Sequence, residues 1–151
     1  MKFSLKRLFL KTVGRIIPSD FFAHRFPVSV KGILFMDKKV ILLTNERREW
    51  DLPGGKLKGN EDIKDCLKRE MKEELGIDVD ILNLEEVVKI NIADKIKVIV
   101  LVYFCTSNAK IDELKLSSEN FDLGQFTFEE LATLNLPKEY LSIIKNRFNE
   151  E

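Results

Sequence analysis

Between residues 55 and 77 the chain reads GKLKGNEDIKDCLKREMKEELGI, and Glu70, Glu73 and Glu74 crowd together beside Arg69. On a helix, residues three and four apart are neighbours, so these carboxylates repel one another. On a wheel of about 100° per residue, Ile63, Leu67, Met71 and Leu75 form an apolar stripe. Glu74 projects between Ile63 and Leu67, Glu70 lies at the edge of the stripe, and Glu73 follows beside Glu70. Partial burial of a carboxylate costs several kcal/mol unless the charge is paired. A divalent cation offsets both the repulsion and the burial, and an all-oxygen ligand set of this charge suits Mg²⁺ or Mn²⁺. Arg69, one turn before Glu73, can orient it through a salt bridge. The other reading of the same residues is a solvated, charge-laced surface helix. The preceding turn, Leu52-Pro53-Gly54-Gly55, favours the metal. Adjacent glycines let backbone approach a ligand closely, and Gly55 can offer its carbonyl to a cation.

Composition narrows what such a site can be. The 151 residues are 44% apolar and 33% charged, values of a single globular domain with a sizeable core. Net charge is zero, but residues 1–31 carry a net of +6 and leave −6 for the rest. A neutral total argues against a dedicated binder of nucleic-acid polymers, yet leaves room for a nucleotide. His24 is the single histidine, which removes a His-rich zinc site. Cys66 and Cys105 have no CxxC spacing, so no disulfide framework is expected and a reducing cytoplasm is the default. No apolar run reaches membrane-spanning length. Lys6, Lys11 and Arg15 interrupt what would be the apolar core of a signal peptide.

The elements that must position the acids can be read in order. Residues 3–17 predict an amphipathic helix, with Leu5, Phe9, Leu10, Val13, Ile16 and Ile17 on one arc and Arg7, Lys11 and Arg15 opposite. With its loop to residue 27 it is expected to pack on the domain or on the partner of a homodimer. A membrane-surface role is the alternative. Residues 28–151 then form the main domain. Val28–Met36 and Val40–Thr44 predict a hairpin about Asp37-Lys38-Lys39, and Glu49–Leu52 a short strand into the glycine turn. The acid-bearing helix is expected over Glu61–Leu75, capped by Asn60 or Asp62 and ended by Gly76. Ile77–Leu82, Val87–Ala93 and Ile96–Thr106 predict strands, the last central and buried. Ile111–Leu116 predicts a further strand, Phe128–Leu134 a short helix, and the stretch after Pro137 a closing helix to Phe148. This order gives an α/β sandwich with a mixed sheet between helices. Neither GxGxxG nor GxxxxGK[ST] spacing occurs at Gly54-Gly55.

The residues quoted above resemble the Nudix box at all its fixed positions: Gly55, five residues, Glu61, seven residues, then Arg69-Glu70-Met71-Lys72-Glu73-Glu74-Leu75-Gly76-Ile77. Met71 stands where a branched aliphatic is commoner. The resemblance extends over residues 28–134, including Trp50-Asp51-Leu52-Pro53 and Phe126-Thr127-Phe128-Glu129-Glu130-Leu131; residues 1–27 fall outside it. It implies an α/β/α sandwich with a central mixed sheet. It implies hydrolysis of a nucleoside diphosphate linked to another group, with Mg²⁺ or Mn²⁺ held by Glu70, Glu73 and Glu74 and the Gly55 carbonyl. Water attack on a P–O–P bridge, with charge on the phosphoryl oxygens neutralised, agrees with that chemistry.

The base is open between Glu119, in the acidic loop that follows Ser118, and Glu73 or Glu74. For the substrate, Arg47 and Arg48 can bind phosphate, and Trp50 can stack on a base; a solvated loop and a core aromatic are the alternatives. ADP-ribose hydrolases of the family carry a proline about where Ala93 stands, and diadenosine polyphosphate hydrolases a tyrosine there. A nucleoside triphosphate or a nucleotide sugar is the expected substrate class. A Nudix-fold nucleotide-binding or regulatory module without turnover is the rival, which loss of box acids would favour.

Overall fold

Two strands joined by a tight turn start the domain in the computed structural model, which describes residues 25–92, 96–118 and 122–149. They are β1 (Val28–Met36) and β2 (Lys39–Thr44). Asp37 and Lys38 between them have φ of 51° and 59°, the left-handed backbone that two-residue hairpin turns require. Next come β3 (Trp50–Asp51), β4 (Gly54–Lys56), α1 (Ile63–Leu75), β5 (Asp80–Ile92), β6 (Ile96–Thr106), β7 (Leu123–Phe126) and α2 (Lys138–Phe148). The seven strands make one sheet ordered β3-β2-β1-β6-β5, with β4 on β1 and β7 on β2. Among the described strands the β1–β6 pair alone is parallel, so the sheet is mixed as expected.

Strand alternation sorts the side chains into two layers. Val30, Leu34, Tyr103 and Cys105 face α1, whose Leu67, Met71 and Leu75 are fully buried against them. Ile33, Val98, Val100, Val102 and Phe104 face the other way, onto Ile143 and Ile144 of α2. β6 lies inside the sheet, which explains its almost unbroken apolar run. Both cysteines are free, buried thiols, and burial pushes each up to about 12.

The structure differs from the sequence expectation in several places, among them strands β4 and β7, which the sequence reading leaves as turn and loop. The two strands expected within 77–93 are one, β5, because bulges between Ile81 and Leu84 and between Leu84 and Glu86 absorb the irregular register. Residues 111–116 do not pair with the sheet. A 3-10 turn at Ile111–Glu113 leads instead to Lys115 and Ser117, whose N–H groups donate to the last carbonyls of α1, those of Leu75 (2.9 Å) and Glu74 (3.2 Å). The short helix near 128–134 is a 3-10 turn at Glu130–Thr133. Finally, α1 begins at Ile63, not Glu61, because Asp62 is its cap and accepts from the Lys64 N–H at 2.9 Å. Residues 1–24, with the expected amphipathic helix and His24, and residues 119–121, with Glu119, lie outside the described residues. No described helix is long and apolar enough to cross a membrane.

Candidate active site

The glycine turn is held against β1 carbonyl by carbonyl. Gly32 N–H donates to Pro53 O at 2.9 Å. Lys31 Nζ donates to Leu52 O at 2.9 Å, to Gly54 O at 2.8 Å and to Asp51 Oδ2 at 3.2 Å. Gly54 itself has φ of 124° and lies so close to β1 that a Cβ there would sit 2.2 Å from Val30 O. Only glycine meets both conditions.

The turn in turn meets α1. Gly54 N–H donates to Glu74 Oε2 at 2.7 Å. A Cβ on Gly55 would fall 2.5 Å from the Glu70 carboxyl, so the absent side chain makes the space in which that carboxylate lies. The stripe position deduced for Glu74 is thus real: it is partly buried and reaches across to the turn, as Glu70 does.

Arg69 gathers the remaining acids. Its Nε and Nη2 bind Glu61 in a bidentate fork at 2.9 and 2.8 Å. Its Nη1 donates to Glu70 Oε1 at 2.7 Å and to Glu73 Oε2 at 3.1 Å. Oxygens of Glu70 and Glu73 therefore converge on one point, occupied by a guanidinium nitrogen. Glu73 is the open end of the cluster, its side chain 56% exposed against 15% for Glu70. Among the described residues no three acidic, His or Cys side chains close into a ready-made metal cage. With each carboxylate bonded to Arg69 or to Gly54, that is the arrangement electrostatics favours when these are the donors at hand. The donors are all oxygen, and the Gly55 gap lets Glu70 approach backbone; the residues fit a hard divalent cation.

The Arg69 fork holds the Glu61 carboxyl down at about 2, well below its ordinary 4.5. The folded state therefore binds its proton less readily than the unfolded state. The stability this contributes is complete above about 4.5 and is lost as pH falls toward 2. Replacing Glu61 by Gln is expected to flatten the dependence of melting temperature on pH between 5 and about 3, a comparison that thermal melts of both proteins provide.

Beside Gly55 opens a hollow of about 220 Å³. Lys31, Lys56, Arg47 and Asn45 bring polar groups to it, and Val98, Val100 and Tyr140 form an apolar wall. Of the predicted substrate residues, Arg47 lines this hollow. It pairs with Glu49 at 2.7 Å, which lowers the Glu49 carboxyl, and remains 44% exposed. Arg48 and Trp50 are not among its walls. Arg48 takes a left-handed turn position, φ 56°. Trp50 packs edge-on against Phe126 with ring centres 4.6 Å apart. Sequence reasoning missed Lys31, Asp51 and Tyr140. Lys31 carried a signal, a lone lysine inside the apolar strand VSVKGILFM. A wider hollow of about 430 Å³ at the far end of α1, lined by Gly76 to Asp80 and Ser107 to Ala109, includes neither Gly55 nor Lys31, Lys56 or Arg47; the clustered glutamates line neither hollow.

The profile of the NUDIX domain matches residues 25–146, which spans most of the chain and includes the turn, Arg69 and the glutamates. The chain belongs to the Nudix family. The Bacillus subtilis (strain 168) Nudix hydrolase YvcI is 46% identical over 46 residues, 30% of this chain. That match spans 29% of YvcI's own length. Among solved structures, the MutT protein of Methanosarcina mazei Go1 superposes with a TM-score of 0.71 at 26% identity, over 85% of this chain and 96% of that one. An ADP-ribose pyrophosphatase of Streptococcus suis 89-1591 superposes at 0.65 with 22% identity, over 82% and 92%; it shares the fold. Nudix membership makes the α/β/α sandwich, the mixed sheet and the box one consistent finding.

Proposed function

We propose that this Nudix chain hydrolyses a P–O–P bridge in a nucleoside diphosphate linked to another group, a nucleoside triphosphate or a nucleotide sugar, with Mg²⁺ or Mn²⁺. The observation that carries the reading is the convergence of Glu70 and Glu73 on Arg69, with Glu74 bonded to the glycine turn and Glu70 packed against Gly55, a residue that also borders the hollow lined by Arg47 and Lys56. Glu70, Glu73, Glu74 and the Gly55 carbonyl would hold the metal. When bound, a divalent cation activates water and neutralises charge on phosphoryl oxygens.

The chain's own residues do the rest. Glu61 anchors Arg69, and Arg69, bonded to one oxygen of Glu70 and one of Glu73, sets their rotamers and leaves the other oxygen of each for the metal. Gly54 N–H fixes one oxygen of Glu74. Glu73, open to solvent, is the described carboxylate best placed to take a proton from water; Glu119 is the alternative base. Arg47 and Lys56 face the hollow as phosphate partners, with Arg48 as a second contact from the same loop, and Trp50 backs that loop from the core.

Substrate choice is tested by a panel of nucleoside triphosphates, ADP-ribose, nucleotide sugars and dinucleoside polyphosphates, each with Mg²⁺ and with Mn²⁺. Turnover concentrated on triphosphates or nucleotide sugars is expected. Binding without turnover throughout would turn the reading into that of a regulatory module.

A further inference from the structure

We propose that Lys31 is a positioning residue that acts on Glu74 through the Gly54 peptide; the inference rests on the metal-dependent reading above. A lysine ammonium has three N–H donors and no acceptor. All three have protein partners here: Asp51 Oδ2, Leu52 O and Gly54 O, at 3.2, 2.9 and 2.8 Å. Although Lys31 borders the hollow, it has no donor left for a phosphate. Its side chain is only 12% exposed, and Asp51 balances its charge. What it holds are the two peptide units that flank the Pro53–Gly54 peptide, by the Leu52 carbonyl on one side and the Gly54 carbonyl on the other. With both flanking units fixed by Lys31, the Pro53–Gly54 peptide between them aims its Gly54 N–H at Glu74 Oε2, 2.7 Å away. The Leu52 carbonyl, seized by the same ammonium, and the Pro53 carbonyl, taken by Gly32 N–H, leave the turn no freedom to rotate. A lysine on β1 thus sets one oxygen of a carboxylate on α1, with no contact between the two side chains.

The test is Mn²⁺ binding, followed by electron paramagnetic resonance on the full chain, for Lys31→Met, Glu74→Gln and the double variant. Outer partners of metal ligands typically change affinity about 10- to 100-fold. Lys31→Met is expected to weaken Mn²⁺ binding about tenfold. The double variant should bind no more weakly than Glu74→Gln alone, because two residues on one path do not add. Hydrogen exchange at the Gly54 amide should quicken at least about tenfold in Lys31→Met while β1–β6 amides stay protected, a difference that general loosening does not produce. Unchanged Mn²⁺ affinity in a folded Lys31→Met, or losses that multiply in the double variant, overturn the proposal. If Glu74→Gln itself leaves Mn²⁺ binding intact, the assignment of Glu74 as a ligand fails, and with it the path from Lys31. Should Lys31→Met not fold, Lys31→Arg keeps the charge but brings a planar fork to three acceptors placed for an ammonium. The same titration and exchange measurements on it give the same decisions.

Discussion

Glu73→Gln is expected to lower kcat/KM about a thousandfold while leaving the fold in place, and Glu74→Gln to do the same. Gln keeps the volume of Glu and one oxygen but removes the charge. Metal-borne stabilisation of developing charge is worth several kcal/mol, and each 1.36 kcal/mol is about a factor of ten in rate. Stability should respond far less. The Arg69–Glu73 contact is an i,i+4 pair at an open position, and such pairs contribute roughly 0.3–0.5 kcal/mol. Arg69 keeps its fork on Glu61 and its bond to Glu70 without Glu73. At position 74 the amide oxygen of Gln can still accept from Gly54 N–H. Steady-state kinetics on the preferred substrate, with thermal melts of the same preparations, separates the two effects. A large fall in melting temperature with unchanged kcat/KM would make both acids structural.

Gly54→Ala should be the most damaging small substitution in the domain, by about 3 kcal/mol or more. Two costs add. A φ of 124° is backbone that an L side chain rarely adopts. The new methyl would meet Val30 O at 2.2 Å and Lys31 Cα at 2.9 Å, backbone atoms in a paired strand that cannot step aside. For a domain of this size the loss corresponds to roughly 10 °C in melting temperature. Activity should fall further than stability explains, because the same residue carries the N–H that fixes Glu74. Gly59→Ala is the control. Nothing lies within 4 Å of its added methyl, and its φ is ordinary. A Gly54→Ala protein as stable as Gly59→Ala would mean that the turn does not press on β1.

The acid-bearing helix was legible because its signals are local. The 3.6-residue period placed Leu67, Met71 and Leu75 inward, and the positions of Glu70 and Glu74 followed from the same wheel. Arg69 reaching Glu73 needed only i,i+4 spacing. Asp62 and Gly76 mark the helix ends by well-understood capping chemistry. What was not legible depends on contacts across the fold. Lys31 and Gly54 are 23 residues apart, and nothing in either neighbourhood says that a lysine on one strand will take two carbonyls of a turn. Residues 111–116 alternate like a strand, yet the free carbonyls at the end of α1 captured that segment. Asp51, on edge strand β3, and Tyr140, on α2, are far apart in sequence and meet only at the wall of one hollow. Burial, with the nearby Asp51 and Glu139 charges as lesser causes, pushes the Tyr140 hydroxyl well above its ordinary value.

The most direct measurement is phosphorus NMR of nucleoside triphosphates and nucleotide sugars mixed with this chain and Mg²⁺, run beside Glu73→Gln and Glu74→Gln. Loss of the bridging-phosphate signals and growth of terminal phosphate products, with both variants slowed about a thousandfold, is the predicted result. Phosphate signals that broaden on binding but never convert, or conversion at equal rates in all three proteins, would contradict it.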